Sequence, residues 1–109
     1  MSYSVKSISV FEKQAKSLIK KYASLKDELF ELIQELKVNP DLGTPIGKNC
    51  FKARIAIASK GKGKSGGARV ITNFMVSGAT VYLLTIYDKS EKDNITNKEL
   101  TELLKDIPE

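Results

Sequence analysis

Histidine and tryptophan are both missing from this chain of 109 residues, and cysteine occurs once. The lack of histidine excludes imidazole acid–base chemistry and the usual zinc ligands. Any catalysis must fall to Lys, Arg, Tyr, Asp or Glu. The lone Cys50 cannot close an internal disulfide, and no histidine stands ready to activate it. It reads as a small packed residue at a strand edge. No apolar run is long enough to span a bilayer, and Met1 to Lys6 lacks the apolar stretch of a signal peptide. A cytoplasmic protein with no membrane partner is expected. The length fits a single domain, 1–109, without internal repeats or a linker, and with a core of modest size.

The net charge is +5, unevenly spread. Residues 1–40 carry a net +2 and residues 77–109 a net −3. Residues 41–76 hold seven basic residues against one acidic, a net +6. A basic cluster of this kind points to a polyanionic partner, most commonly nucleic acid.

Hydrophobic periodicity orders the elements. Tyr3, Val5, Ile8 and Val10 alternate in part, which predicts a short edge strand. Phe11, Ala15, Leu18, Ile19 and Tyr22 form one helical stripe, and Leu25, Leu29, Leu32, Ile33 and Leu36 another. Lysines 13, 16, 20 and 21 occupy the outer face of the first helix. Asp27, Glu28, Glu31 and Glu35 occupy that of the second. Ser24 reads as an N-cap, and Asn39-Pro40 ends the second helix. Residues 41–50, with Gly43, Pro45 and Gly47, read as a loop. From Phe51 the period becomes two, with Phe51, Ala53, Ile55 and Ile57 on one face and Lys52 and Arg54 on the other. A lysine-glycine connection leads into a strand from Ala68 to Val76. A turn at 77–79 leads into an almost wholly apolar central strand from Thr80 to Tyr87. Thr96 and Glu99 form a capping box for a last helix with the stripe Leu100, Leu103, Leu104 and Ile107. The order β-α-α-β-β-β-α defines an α+β domain with a mainly antiparallel sheet.

Two constellations could carry chemistry. The run from Ser59 to Gly67 resembles a phosphate loop, but the position of its opening glycine is Ala58 and a strand follows instead of a helix. A cationic arm for an RNA backbone fits better, with Lys60, Lys62 and Lys64 as phosphate contacts and glycines allowing close approach. The second constellation is Lys52 and Arg54 on one strand face, Arg69 at the start of the next strand, and Tyr87 at the end of the third, followed by Lys89. These groups suit phosphodiester transfer. A base frees a 2′-hydroxyl to attack the neighbouring phosphate, arginines stabilise the phosphorane, and an acid protonates the leaving 5′-oxygen. A lysine within a cationic cluster could serve as the base.

The runs FKARI (51–55), KGKGKSGGARVI (60–71) and YLLTIYDKSEK (82–92), with the upstream helices and the NPDLG turn at 39–43, resemble the RelE/ParE superfamily of toxins, in particular its HigB-like branch. The resemblance implies a microbial-ribonuclease-like fold and metal-free, cofactor-free cleavage of mRNA in the ribosomal A site, which inhibits translation. It also implies a cognate antitoxin of HigA or RelB type. By the same resemblance Arg69, Lys52, Arg54 and Tyr87 are the catalytic candidates. Lys60, Lys62, Lys64 and Lys89 are the candidates for RNA and ribosome binding. The assignment of base and acid stays open, because some members carry an arginine just after the last strand, where this chain has Lys89-Ser90-Glu91. Two alternatives stand beside this reading: a ParE-like toxin that acts on DNA gyrase without nuclease activity, and a non-catalytic RNA-binding module. Aromatics make up only 7% of the chain, and Phe51, Phe74 and Tyr82 fit core positions better than a stacking platform.

Overall fold

A computed structural model describes residues 2–61 and 66–108. Lys62 and Lys64, two of the expected phosphate contacts, lie outside this set. The elements in chain order are β1 (Ser4–Ser7), α1 (Ser9–Lys21), α2 (Leu25–Val38), β2 (Thr44–Gly47), β3 (Cys50–Ile55), β4 (Ala68–Met75), β5 (Thr80–Asp88) and α3 (Asn97–Leu104). The strands form one sheet in the order β1-β5-β4-β3-β2. The β1–β5 pair is parallel and the other pairs are antiparallel. This is the expected α+β architecture.

Burial follows the periodicities. Phe11 and Ala15 of α1, and Leu25, Leu29, Leu32 and Leu36 of α2, join the core. Val81, Leu84 and Ile86 of β5 are fully enclosed, as a strand flanked on both edges and both faces requires. On β3 the alternation is plain: Ala53 and Ile55 are buried while Arg54 is exposed. The parity of that strand therefore directs Lys52 and Arg54 away from the helices α1 and α2.

Three local expectations change. Ile8 and Val10 do not extend the first strand, because α1 begins at Ser9. Ser24 is not a side-chain cap: its backbone is helical, and its hydroxyl bonds Glu28 and Ser59. Within the segment 41–50, Thr44–Gly47 pairs with β3. Pro45 is tolerated there because β2 is an edge strand. Lys48 and Asn49 join the two strands, both at positive φ (55° and 61°), the geometry of a type I′ hairpin turn. Cys50 is buried beside this turn, and burial raises its thiol pKa. Gly43 (φ +108°) lies against β3 so closely that a Cβ would stand 2.5 Å from the Lys52 carbonyl oxygen. Gly67 is tighter still, at 1.9 Å from the Ile55 carbonyl oxygen.

One buried polar cluster ties helix, turn and sheet together. Asp88, at the end of β5, has no exposed side-chain surface. Its carboxylate forms an ion pair with Lys60 and accepts hydrogen bonds from Tyr22 Oη (2.7 Å), Ser90 Oγ (2.7 Å) and the Ser90 N–H (2.9 Å). Burial alone would raise its pKa. The bonds from Lys60, Tyr22 and Ser90 overcome that effect and hold it well below the usual carboxylate range. A carboxylate so held stabilises the fold fully above the unfolded carboxylate pKa, near pH 4, and loses that contribution as the pH falls further. Asp88→Asn should cost about 3 kcal/mol at neutral pH, because Lys60 is left without its counter-charge. Urea unfolding should show this loss at pH 7 and a smaller difference from the parent chain below pH 3.

Candidate functional site

The sheet register brings three of the four catalytic candidates into one row. Arg54 of β3 pairs with Arg69 of β4, and Arg69 pairs with Tyr87 of β5. Directly paired residues across a ladder share a face. Lys52 lies two positions before Arg54 on the same face, opposite Ile71. Separations of 15 and 18 residues in sequence are thereby reduced to neighbouring strands.

The row runs from exposed to enclosed. Arg54 is exposed and Lys52 half-buried, whereas Arg69 is 3% and Tyr87 7% exposed. Arg69 Nη1 donates to the Ala68 carbonyl oxygen at 3.2 Å. Its pKa is lowered, first by burial and then by the like charge of Arg54, and Tyr87 partly offsets this. The Tyr87 phenol has its pKa raised by burial, with Arg69 opposing and Glu99 and Asp93 adding to the rise. It is therefore neutral at physiological pH. Its hydroxyl is buried without a hydrogen-bond partner among the described residues.

The last helix lies beside the row. Thr96 and Glu99 form the expected capping box: Thr96 Oγ1 accepts from the Glu99 N–H at 3.1 Å, and Glu99 Oε1 accepts from the Thr96 N–H at 3.0 Å. Leu100 anchors α3 in the core. Lys92, in the preceding segment, places its Nζ 5.6 Å from the centroid of the Tyr87 ring and forms an ion pair with Glu99. Lys92 and Glu99 were not picked out from the sequence as neighbours of Tyr87. Their segment follows β5 directly, but its direction depends on tertiary packing.

The lysines divide differently from the expectation. Lys60 does not extend from its loop as a phosphate contact. Its ammonium is largely enclosed, in contact with Asp88 and with Ser90 Oγ at 3.0 Å, and lies 5.5 Å from the Tyr22 ring centroid. A lysine committed to a buried carboxylate fixes the start of the loop. The end of the loop is fixed by the Lys89 N–H, which donates to the Gly67 carbonyl oxygen at 3.0 Å. The Lys89 side chain in turn pairs with Asp93.

Comparison with known proteins places the fold. Two solved structures share the fold. One is a double-arginine mutant of the E. coli toxin RelE in the free state, at TM-score 0.62 and 15% identity, covering 99% of this chain and 100% of that one. The other is the toxin–antitoxin complex RelBE2 from Mycobacterium tuberculosis, at TM-score 0.59 and 16% identity, covering 81% of this chain and 92% of that one. The family model described as RelE toxin of the RelE/RelB toxin–antitoxin system matches residues 7–107. The chain belongs to the RelE toxin family. No helix among the described residues is long and apolar enough to cross a membrane.

The orphan hydroxyl gives this site a stability signature. Tyr87→Phe removes a buried polar atom that has no partner among the described residues, so folding stability should stay level or rise by up to about 1 kcal/mol. Thermal unfolding of the two proteins checks this. A clear drop in the midpoint would show that the hydroxyl is bonded in solution.

Proposed function

We propose that this toxin is a ribosome-dependent endoribonuclease that cuts translated mRNA by attack of a 2′-hydroxyl on the adjacent phosphate, without a metal or cofactor. The observation that carries this reading is the row Arg54–Arg69–Tyr87 across three strands, with Lys52 beside it. Arg69 and Arg54 bind the scissile phosphate and stabilise the charge that develops on the phosphorane. Tyr87, kept protonated by burial, suits the acid that protonates the leaving 5′-oxygen better than it suits the base. Lys52, on the exposed side of the row, is the candidate to free the 2′-hydroxyl. The ribosome supplies the positioning that so small a site lacks, and positioning can account for a large share of a barrier. The toxin works in the cytoplasm. Its antitoxin presents an acidic segment to Lys52, Arg54 and Arg69, and α3, which lies against the Tyr87 end of the row, is the element that adjusts.

Primer extension on ribosome-bound mRNA is the decisive measurement. Codon-phased cuts are expected, with little cleavage of naked RNA; equal cleavage of both substrates contradicts ribosome dependence. Arg69→Lys should lower the cleavage rate roughly a hundredfold, or about 3 kcal/mol, because an ammonium cannot reproduce a bidentate guanidinium contact. Circular dichroism on the same variant checks that the loss is not one of folding. Full activity in Arg69→Lys would remove Arg69 from the site.

The loop lysines separate by the same logic. Replacing Lys62 and Lys64 with alanine should weaken ribosome binding and flatten its salt dependence, by about one log–log unit for each phosphate that is no longer neutralised. Lys60→Ala should instead lower stability, because it strips the counter-charge from Asp88. A salt titration of ribosome binding, set beside urea unfolding, tells the two roles apart.

A further inference from the structure

The sheet has an edge that its last strand leaves open. β2 pairs with β3 at Gly47↔Cys50, Pro45↔Phe51 and Thr44↔Lys52, and no further. β3 runs on to Ile55, and on that side Ala53–Ile55 meets no strand among the described residues. Sheet edges are commonly protected by proline, by bulges or by a covering element. Pro45 protects the covered part; the stretch beyond it has neither a proline nor a bulge.

An open groove of about 630 Å³ follows this edge. Leu42, Gly43 and Thr44 bound it at the β2 end. At the other end Glu28 Oε2 accepts from the Ala58 N–H at 2.8 Å. One wall is α2, which contributes Leu32 and the carboxylates of Glu28, Glu31 and Glu35, spaced i, i+3 and i+7 on one helix face. The opposite wall carries Lys52 and Arg54, which strand parity sets on the other face of the sheet. Glu31, Glu35, Lys52 and Arg54 form no ion pair with one another or with any other described residue. The open edge is thus acidic on one side and basic on the other.

We propose that this edge is a docking site for an extended polypeptide strand of a protein partner, with basic side chains turned toward α2 alternating with acidic side chains turned toward Lys52 and Arg54. Strand addition draws affinity from main-chain hydrogen bonds and specificity from alternate side chains. The period-two alternation of a strand matches the two oppositely charged walls. From Ala53 to Ala56 the edge spans about 10 Å at a rise of ~3.3 Å per residue, room for three or four residues of the partner. The site rests on edge geometry and charge, and stands whether or not the row beside it cuts RNA.

The test uses the full chain and a fluorescein-labelled, end-blocked heptapeptide of alternating lysine and glutamate. One control peptide has the same composition in two blocks. A second is N-methylated at alternate residues, which removes its main-chain donors. Anisotropy titration should show at least tenfold tighter binding of the alternating peptide than of either control. Amide exchange should slow at Arg54 and Ala56, whose N–H groups face the edge because Ala53 and Ile55 bond β4. The double variant Glu31→Lys/Glu35→Lys changes exposed helix positions and should weaken the alternating peptide at least tenfold; Ala56→Pro should do the same by removing an edge donor. Equal binding of the block peptide, no loss in Glu31→Lys/Glu35→Lys, protection elsewhere, or no binding at millimolar peptide would each overturn the proposal. Sedimentation showing that this edge joins two copies of the chain would also overturn it.

Discussion

A carboxylate with no exposed surface closes the end of the sheet at which the basic row lies. Asp88 pairs with Ala68, one step from the Arg69–Tyr87 pair. It also receives bonds from Tyr22 at the end of α1 and from Lys60 at the start of the loop. An ion pair in this setting gains little net stability over an apolar equivalent, since both ions lose water. What it adds is geometry: helix, loop and strand must all arrive for the charge to be satisfied. Gly67 belongs to the same closure, because no larger residue could lie against the Ile55 carbonyl. The loop is therefore held at both ends by the strand that carries Tyr87.

The row beside that anchor is built against its own stability. A phenol hydroxyl buried without a hydrogen-bond partner among the described residues costs free energy that a packed apolar surface would not. The core beneath, with Val70 and Ile86 fully enclosed, supplies the rigidity that holds the row in place.

Much of this was legible in the chain because it depends on local period. The stripes of α1 and α2, the alternation around Arg54, the apolar run of β5 and the Thr96–Glu99 box all appear in the structure where the residues place them. The candidates Lys52, Arg54, Arg69 and Tyr87 could be named from residue type and strand position. That three of them share a row could not, because it requires the register of two strand pairs. β2 was hidden because Gly43, Pro45 and Gly47 all signal a loop; its pairing rests on an edge position that tolerates proline and on a turn with Lys48 and Asn49 at positive φ. The role of Lys60 was hidden for a different reason. In sequence it is one of three similar lysines, and what sets it apart is Asp88, 28 positions away.

Charge is divided across the two helices on one face of the sheet as well. Lys13, Lys16 and Lys20 of α1 form no ion pair with Asp27, Glu28, Glu31 or Glu35 of α2 among the described residues. Pairs of exposed charges contribute little to stability, so folding alone exerts little pressure to match them across the helices. Unmatched charges of opposite sign produce opposite potentials on different parts of one small surface. The middle of the chain adds its own excess of positive charge along β3 and β4. The result is a molecule whose acidic helix face adjoins the open edge of β3, while its basic groups line the other side of that edge and the row beyond. Potentials of opposite sign thus lie on the two sides of one sheet edge. For a strand docked at the edge the same division sets which way each side chain must point.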